Sequence, residues 1–553
     1  MRVYLAWVVV VAFLGIAVNS FGQQYIPDRF FVKFTDKKHT NYSLSSPEAF
    51  LSKRALERRD RMNIAIDSND LPVSRFYLDS LKKTGAQLLN TTKWLNGVVI
   101  SVDTLKTLND ILAQSFVKTI DTVRYLNVLT KKAKQKKTRL NEESKAEHIN
   151  DDIEDYGFAG GQIQMLNLHK FYQDGYAGEG KRIAVLDAGF SNVETMMSLG
   201  HLFDRNQIKA TYDFVDRDPD VFHGSFHGQA VLSIMAARLP GNYLGSAPGA
   251  DYLLLRTENA GSEYPVEELN WASGAEFADS LGADIINSSL GYTTFDFPPL
   301  SYSYQDMNGN TAYSSKAASI ASNKGMLVVS SAGNLGSSSW TYVGAPADAD
   351  SVLTVGAVNQ EQVYADFSSI GPNSNGKLKP NVTAVGEGTA FVNSYDQVSY
   401  GAGTSFSAPL IAGAAASLWQ ANPEVTNMEL KSAIEKSASQ YLSPDTLKGY
   451  GIPNFQLASV ILQKRPELSS GPVSVTPNPF RNRLYVKSEI NLSENTVFEI
   501  TDMKGRLVSK LTPQKQGSSD IFIFNGLGHL SQGIYILRIS GENILQTLKI
   551  VKA

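Results

Sequence analysis

Between residues 156 and 465, short apolar runs alternate with helix-like stretches, and this constrains the fold more than any other feature of the chain. Residues 182–186, 252–255, 284–287 and 326–330 are β-rich, while 229–238, 266–281 and 317–324 carry the helical pattern between them. Strands apolar at consecutive positions are buried on both faces, so the pattern predicts an α/β domain, a parallel sheet flanked by helices. In such a sheet a site forms at the carboxyl ends of the strands, where the loops begin.

At 553 residues the chain exceeds one ordinary domain. Residues 24–130 read as a small α+β domain, with strands at 29–34, 94–102 and 117–128 and helices at 47–62, 76–89 and 105–112. The 47–62 helix is rich in Arg and Lys. Residues 131–155 form a charged linker, basic from Lys131 to Arg139 and acidic at Asp151, Asp152, Glu154 and Asp155. Exposed linkers of this kind are preferred sites of proteolysis, so a maturation cut is expected within it. Residues 473–553 follow a different pattern, with short alternating segments at 483–486, 497–501, 521–524 and 534–539 between turns, as in an all-β sandwich.

Residues 1–22 fit a cleaved signal peptide. Arg2 supplies the positive start, residues 4–18 are apolar, and Ser20 and Gly22 are small. The apolar run is short of the about 20 residues that span a bilayer. A net charge of −3 gives no electrostatic case for nucleic acid, and the absence of cysteine excludes disulfides and cysteine-ligated metal.

Hydrolysis at neutral pH by a hydroxyl needs a base and an oxyanion stabiliser. Of seven histidines, His169, His201, His223 and His227 lie in the central domain. His227 opens His-Gly-Gln-Ala-Val-Leu, a helix start with an apolar continuation, and is the preferred base; His223 reads as a loop residue and its rival. His169 and His201 read as ordinary structural residues. Asp187 closes the strand Ile183-Ala184-Val185-Leu186, well placed to orient an imidazole, although alone it would read as a cap or turn residue. Ser405 lies in Gly403-Thr404-Ser405-Phe406-Ser407-Ala408-Pro409 before an apolar helix, and alone would read as an N-cap.

Together, Asp187-Ala188-Gly189, His227-Gly228 and Gly403 to Pro409 resemble the three catalytic signatures of the subtilisin family, in the chain order Asp, His, Ser. The family usually continues its histidine motif with a second histidine, where this chain has Ala230. Ser331-Ala332-Gly333-Asn334 resembles the segment whose asparagine donates to the oxyanion. Ser289, Leu290 and Gly291, with Ala332 and Gly333, resemble the backbone that binds an extended substrate. The resemblance implies a subtilisin-like parallel sheet, a propeptide-like N-terminal domain and a secreted serine endopeptidase made as a zymogen. No cofactor is expected. Calcium is common in the family, but the Asp213, Asp216, Asp218, Asp220 loop lacks a full oxygen-ligand pattern. Pro477-Asn478-Pro479-Phe480, Asp502-Met503-Lys504-Gly505 and 533–537 resemble a type IX secretion sorting domain. The expected partners are a protein or peptide substrate, the chain's own propeptide and the secretion machinery, with localisation outside the cell or at its surface.

Two rival classes make opposite demands. A silent binding protein on this fold should lack a triad member, and none is missing. An esterase should carry Gly-x-Ser-x-Gly, and Ser405 sits in Gly-Thr-Ser-Phe-Ser.

Overall fold

The computed structural model describes residues 25–127, 156–463 and 472–553, the last without 494, 503–505, 512, 513, 516–520 and 543. The expected signal peptide, the 131–155 linker and part of the 502–505 motif lie outside the described residues. The chain divides into two compact units, one ending at Ala458 and one beginning at Ser459.

Seven strands of the first unit form one sheet, in the order Val382–Val385, Leu353–Val358, Leu327–Ser331, Ile285–Ser288, Arg182–Asp187, Asp251–Arg256, Ile208–Asp213. Every pairing is parallel. The cause is legible in the residues: 285–288, 327–331 and 353–358 are buried at every position, which only a sheet covered on both faces provides. Ile208–Asp213 sits at the edge, where Lys209 and Thr211 reach solvent, and for that reason it shows no apolar run.

The sheet order reverses at Arg182–Asp187. The chain leaves it toward 251–256 and 208–213 on one side, then crosses to build 285–288 and its successors on the other. The carboxyl ends of Arg182–Asp187 and Ile285–Ser288 therefore flank the switch-point crevice. Two pairs of packed helices cover the sheet: Pro265–Ser280 with Tyr313–Asn323, and His227–Ala236 with Thr404–Ala421. The last is buried almost throughout, from Phe406 to Trp419, so it is a core helix whose stability comes from packing.

The N-terminal residues form a four-stranded antiparallel sheet in the order Gln87–Thr92, Gly97–Ser101, Tyr25–Phe34, Val117–Asn127. Two boundaries differ from expectation. The helix expected at 76–89 ends at Lys83, because Gly85 takes φ +93 and turns the chain into the Gln87–Thr92 strand. The 47–62 pattern splits into a short 3₁₀ turn and the helix Lys53–Arg61, whose N-cap Ser52 accepts from the Ala55 N–H. Alternation along Tyr25–Phe34 serves two cores. Phe30, Val32 and Phe34 face Tyr77, Leu81, Leu108 and Ile111. Phe31, with Trp94, Val99 and Val123, packs into the cluster of Leu269, Trp271, Ala272 and Ala317. The small sheet thus lies between its own helices and the Pro265–Ser280, Tyr313–Asn323 pair.

The second unit holds two four-stranded antiparallel sheets around a core including Phe480, Leu484, Phe498, Phe524, Leu537 and Ile539. Strands Val473–Thr476, Leu507–Leu511 and Ile544–Lys552 complete the alternating segments read from the sequence.

Candidate active site

Asp187 is the last residue of its strand and is fully buried, and its backbone C=O accepts the Thr257 N–H at 3.0 Å. Its Oδ1 accepts the Ala188 N–H at 2.7 Å and lies 2.8 Å from His227 Nδ1. His227 begins the helix His227–Ala236, and its N–H donates to Ser225 Oγ at 3.1 Å. The next residue makes this approach possible: a Cβ on Gly228 would stand 2.4 Å from the Gly189 carbonyl oxygen and 2.9 Å from Asp187 Cβ. Burial pulls the His227 pKa down, but the charge and hydrogen bond of Asp187 outweigh it, and the net value lies above the ordinary 6.5.

Ser405 is the second residue of the Thr404–Ala421 helix, so its N–H belongs to the first turn, whose donors have no carbonyl partner within the helix. It is tied to the neighbouring strand in both directions. Ser289 Oγ donates to the Ser405 carbonyl at 2.9 Å, and Ser405 Oγ donates to the Ser289 carbonyl at 3.3 Å. No hydrogen bond joins Ser405 Oγ to His227. Strand Ile285–Ser288 thus delivers Ser289 against the helix start, beside the end of the strand that carries Asp187.

Asn334 is exposed, and its amide is oriented from beneath. Its Oδ1 accepts from Thr404 N–H at 2.8 Å and from Thr404 Oγ1 at 2.9 Å, which leaves Nδ2 pointing away from Thr404. Thr404 Oγ1 in turn accepts the Gly333 N–H at 3.1 Å. Ala332 is buried, and Gly333 takes φ +105, where a Cβ would meet Ser369 Oγ at 2.8 Å. Ser289 and Leu290 are nearly buried, whereas Gly291 is exposed. The sequence reading missed Thr404, which fixes the Asn334 flip; a β-branched hydroxyl directly before Ser405 was its only signal.

The rival histidine is occupied elsewhere. His223 Nε2 lies 3.6 Å from Asp213 Oδ2. Burial, helped by Arg238 and Arg205, drives the His201 pKa down to about 4. Burial also lowers that of His169. In the aspartate loop, Arg256 Nη1 donates to Asp213 Oδ2 and Asp216 Oδ2, each at 2.6 Å. Asp213 Oδ1 accepts the Val215 and Asp216 N–H groups, and Asp218 and Asp220 each accept a backbone N–H two residues on. The guanidinium already supplies positive charge to Asp213 and Asp216, so these two carboxylates fit a bound cation poorly.

The architecture agrees with the comparisons. The model of the subtilase family (Peptidase S8) matches residues 178–451. Subtilisin NAT of Bacillus subtilis subsp. natto is 30% identical over 304 residues, covering 54% of this chain and 70% of that protein. The chain belongs to the subtilase family. Subtilisin of Bacillus pumilus is also 30% identical, with 97% of it covered. The subtilase's N-terminal residues 29–141 match the Peptidase S8 propeptide domain of Bacteroidota, and 474–553 match a secretion system C-terminal sorting domain. The crystal structure of fervidolysin from Fervidobacterium pennivorans, a keratinolytic enzyme related to subtilisin, shares the fold at TM-score 0.53 and 19% identity, covering 94% of this chain and 71% of that one. The protein is therefore a serine endopeptidase of the subtilase family, made with a propeptide, and its type IX sorting domain marks it as secreted or held at the cell surface.

Proposed function

We propose that this subtilase cleaves peptide bonds through Ser405 as nucleophile, His227 as general base and Asp187 as the carboxylate that orients the imidazole. The observation that carries the reading is the 2.8 Å contact between His227 Nδ1 and Asp187 Oδ1 at the switch-point crevice, one strand from Ser289 and the Ser405 helix. With Nδ1–H held by Asp187, Nε2 is the basic nitrogen. A rotation of Ser405 about Cα–Cβ, breaking its 3.3 Å bond to Ser289, brings Oγ toward that nitrogen; catalytic hydrogen bonds often tighten only with substrate bound. Ser405 attacks the scissile carbonyl as His227 takes its proton. Asn334 Nδ2 and the Ser405 N–H stabilise the oxyanion, His227 protonates the leaving amine, and water releases the acyl enzyme. The substrate lies extended between Ser289-Leu290-Gly291 and Ala332-Gly333.

In this reading the chemistry uses no metal or cofactor, residues 1–22 are cleaved on export, the 131–155 linker is cut in maturation, and the C-terminal domain is handed to the secretion machinery. The purified, processed protein is expected to hydrolyse casein at internal bonds. A serine-directed sulfonyl fluoride should stop it and EDTA should not. Cleavage resistant to the sulfonyl fluoride overturns the mechanism, while loss with EDTA that calcium restores overturns the metal-free part.

Asn334→Ala should lower kcat by about 10²–10³ with little change in KM, the size known for loss of this donor in a subtilisin. Thr404→Val should lose part of the same factor, because it removes the hydroxyl that holds the amide orientation. An unchanged kcat in Asn334→Ala would exclude the amide from the oxyanion hole.

A further inference from the structure

The arginine-rich helix Lys53–Arg61 lies in the propeptide domain but outside its four-stranded sheet. It hangs between the first strand and the next helix, yet Arg58 and Arg59 are each only 1% exposed. Both reach into the peptidase domain, meeting at Asp279. Helices Pro265–Ser280 and Tyr313–Asn323 end alike. In each, a glycine with positive φ, Gly282 or Gly325, follows the C-cap, and the next residue's N–H returns to the last turn, Ala283 to Ala278 and Met326 to Ala321. Both ends leave backbone carbonyls pointing outward at the negative pole of a helix.

Arg58 fills the gap between the two ends. Its Nε donates to the Lys324 carbonyl at 3.1 Å, Nη1 to the Ala283 carbonyl, and Nη2 to the Asp279 carboxylate. Arg59 Nη2 donates to Asp279 Oδ2 and to Asp70 Oδ1, both at 2.8 Å. Arg54 donates to the Gly282 carbonyl at 2.9 Å, the Gly180 carbonyl at 2.7 Å and the Asp284 carboxylate. The glycines admit this helix closely: a Cβ on Gly282 would meet Arg54 Cγ at 2.7 Å, and one on Gly325 would meet Met62 Sδ at 2.8 Å. Lys93 of the propeptide also approaches Asp279, at 3.6 Å, and Lys324 of the peptidase domain binds Asp70 and Asp67 of the propeptide at 2.8 and 3.0 Å.

Topology sets the distance from the chemistry. Both helices run from the carboxyl edge of the sheet back to its amino edge, where Asp284 precedes strand Ile285–Ser288. Asp187 and Ser289 lie at the opposite edge.

We propose that these paired helix ends, with Asp279 and Asp284, form an arginine-recognition site remote from the catalytic cleft, and that Arg54, Arg58 and Arg59 hold the propeptide there after the connecting chain is cut. A planar guanidinium fits this site better than an ammonium, because Nε, Nη1 and Nη2 reach the Lys324 carbonyl, the Ala283 carbonyl and the Asp279 carboxylate from three separate nitrogens, whereas the three donors of an ammonium radiate from one. Once the propeptide leaves, Asp279 and Asp284 lose its cations and Glu276 loses the Thr92 hydroxyl and the Lys93 and Trp94 N–H groups that donate to it, so the vacated surface is anionic.

The test uses the full chain with Ser405→Ala, so that it does not cut itself, and with a recognition site for a sequence-specific protease inserted after residue 139. After that cut, the N-terminal fragment is expected to co-elute with the remainder in gel filtration at 0.15 M NaCl. Arg58→Lys, which has one nitrogen where three reach separate acceptors, and Arg58→Met with Arg59→Met, which leaves the Asp279 carboxylate only Lys93, should each raise the dissociation constant by roughly 100-fold or more. On the chain with all its arginines intact, arginine amide should displace the fragment at lower concentration than lysine amide at equal ionic strength, a readout independent of how the variants fold. Variants retained as tightly as the parent, or two amides of equal effect, would overturn the proposal. Self-cleavage persisting with Ser405→Ala would contradict the catalytic assignment and leave this site untouched.

Discussion

Ser405→Ala is expected to lower casein hydrolysis by about 10⁶-fold in kcat, the scale known for loss of the nucleophile in a subtilisin, leaving the residue of rate that the oxyanion hole and binding supply. The size follows from what the hydroxyl does: without it no acyl enzyme forms, and the imidazole held by Asp187 has no proton to take. Stability should scarcely change. The serine is half-buried, and its Oγ makes the single 3.3 Å bond to Ser289, worth about 1 kcal/mol or less. A melting temperature near that of the parent, with activity gone, separates chemistry from folding. The precursor should also accumulate uncut. A variant that still hydrolyses casein at the parent rate would contradict the mechanism.

Asp187→Asn should cost about 10⁴-fold in kcat, by analogy with the same change in other serine peptidases. The amide keeps the shape but presents the wrong tautomer to Nδ1, so that the proton sits on Nε2 where a lone pair is needed. The pH profile gives an independent readout. Asp187 holds the His227 pKa above 6.5, and the base works only when neutral, so activity should fall as pH drops through that raised value. In Asp187→Asn the charge that raises it is gone, burial is left unopposed, and the acidic limb should move to lower pH. An acidic limb unmoved by the substitution would mean that the limb reports another group. Asp187 Oδ2 is buried and accepts no hydrogen bond among the described residues, which leaves this carboxylate largely committed to His227.

Four of the seven strands of the central sheet were legible because they carry consecutive apolar residues, as burial on both faces demands, whereas Leu353–Val358, interrupted by Thr354 and Gly356, and the four-residue Val382–Val385 were not. Ile208–Asp213 was not, since an edge strand needs no apolar run, nor was Gln87–Thr92, half-exposed and carrying two threonines and an asparagine. Asp187, His227 and Ser405 could be singled out because their three motifs together, in the order Asp, His, Ser, resemble the catalytic signatures of the family, although strand end and helix start alone would read as caps. The role of Thr404 was hidden, because it acts across 70 residues of sequence on Asn334. The basic pattern at 47–62 likewise showed only a helix rich in Arg and Lys. A charge run says nothing by itself about whether carbonyl-rich helix ends will bury it, and Gly282 and Gly325 lie more than 220 residues downstream.

The most direct test of the triad is covalent capture. The processed protein is treated with a fluorophosphonate, digested and mapped by mass spectrometry. One phosphonyl group per chain on Ser405, formed in step with loss of casein hydrolysis and abolished by His227→Ala, is the predicted result. Labelling at another serine, or full activity in protein already labelled at Ser405, would contradict the account.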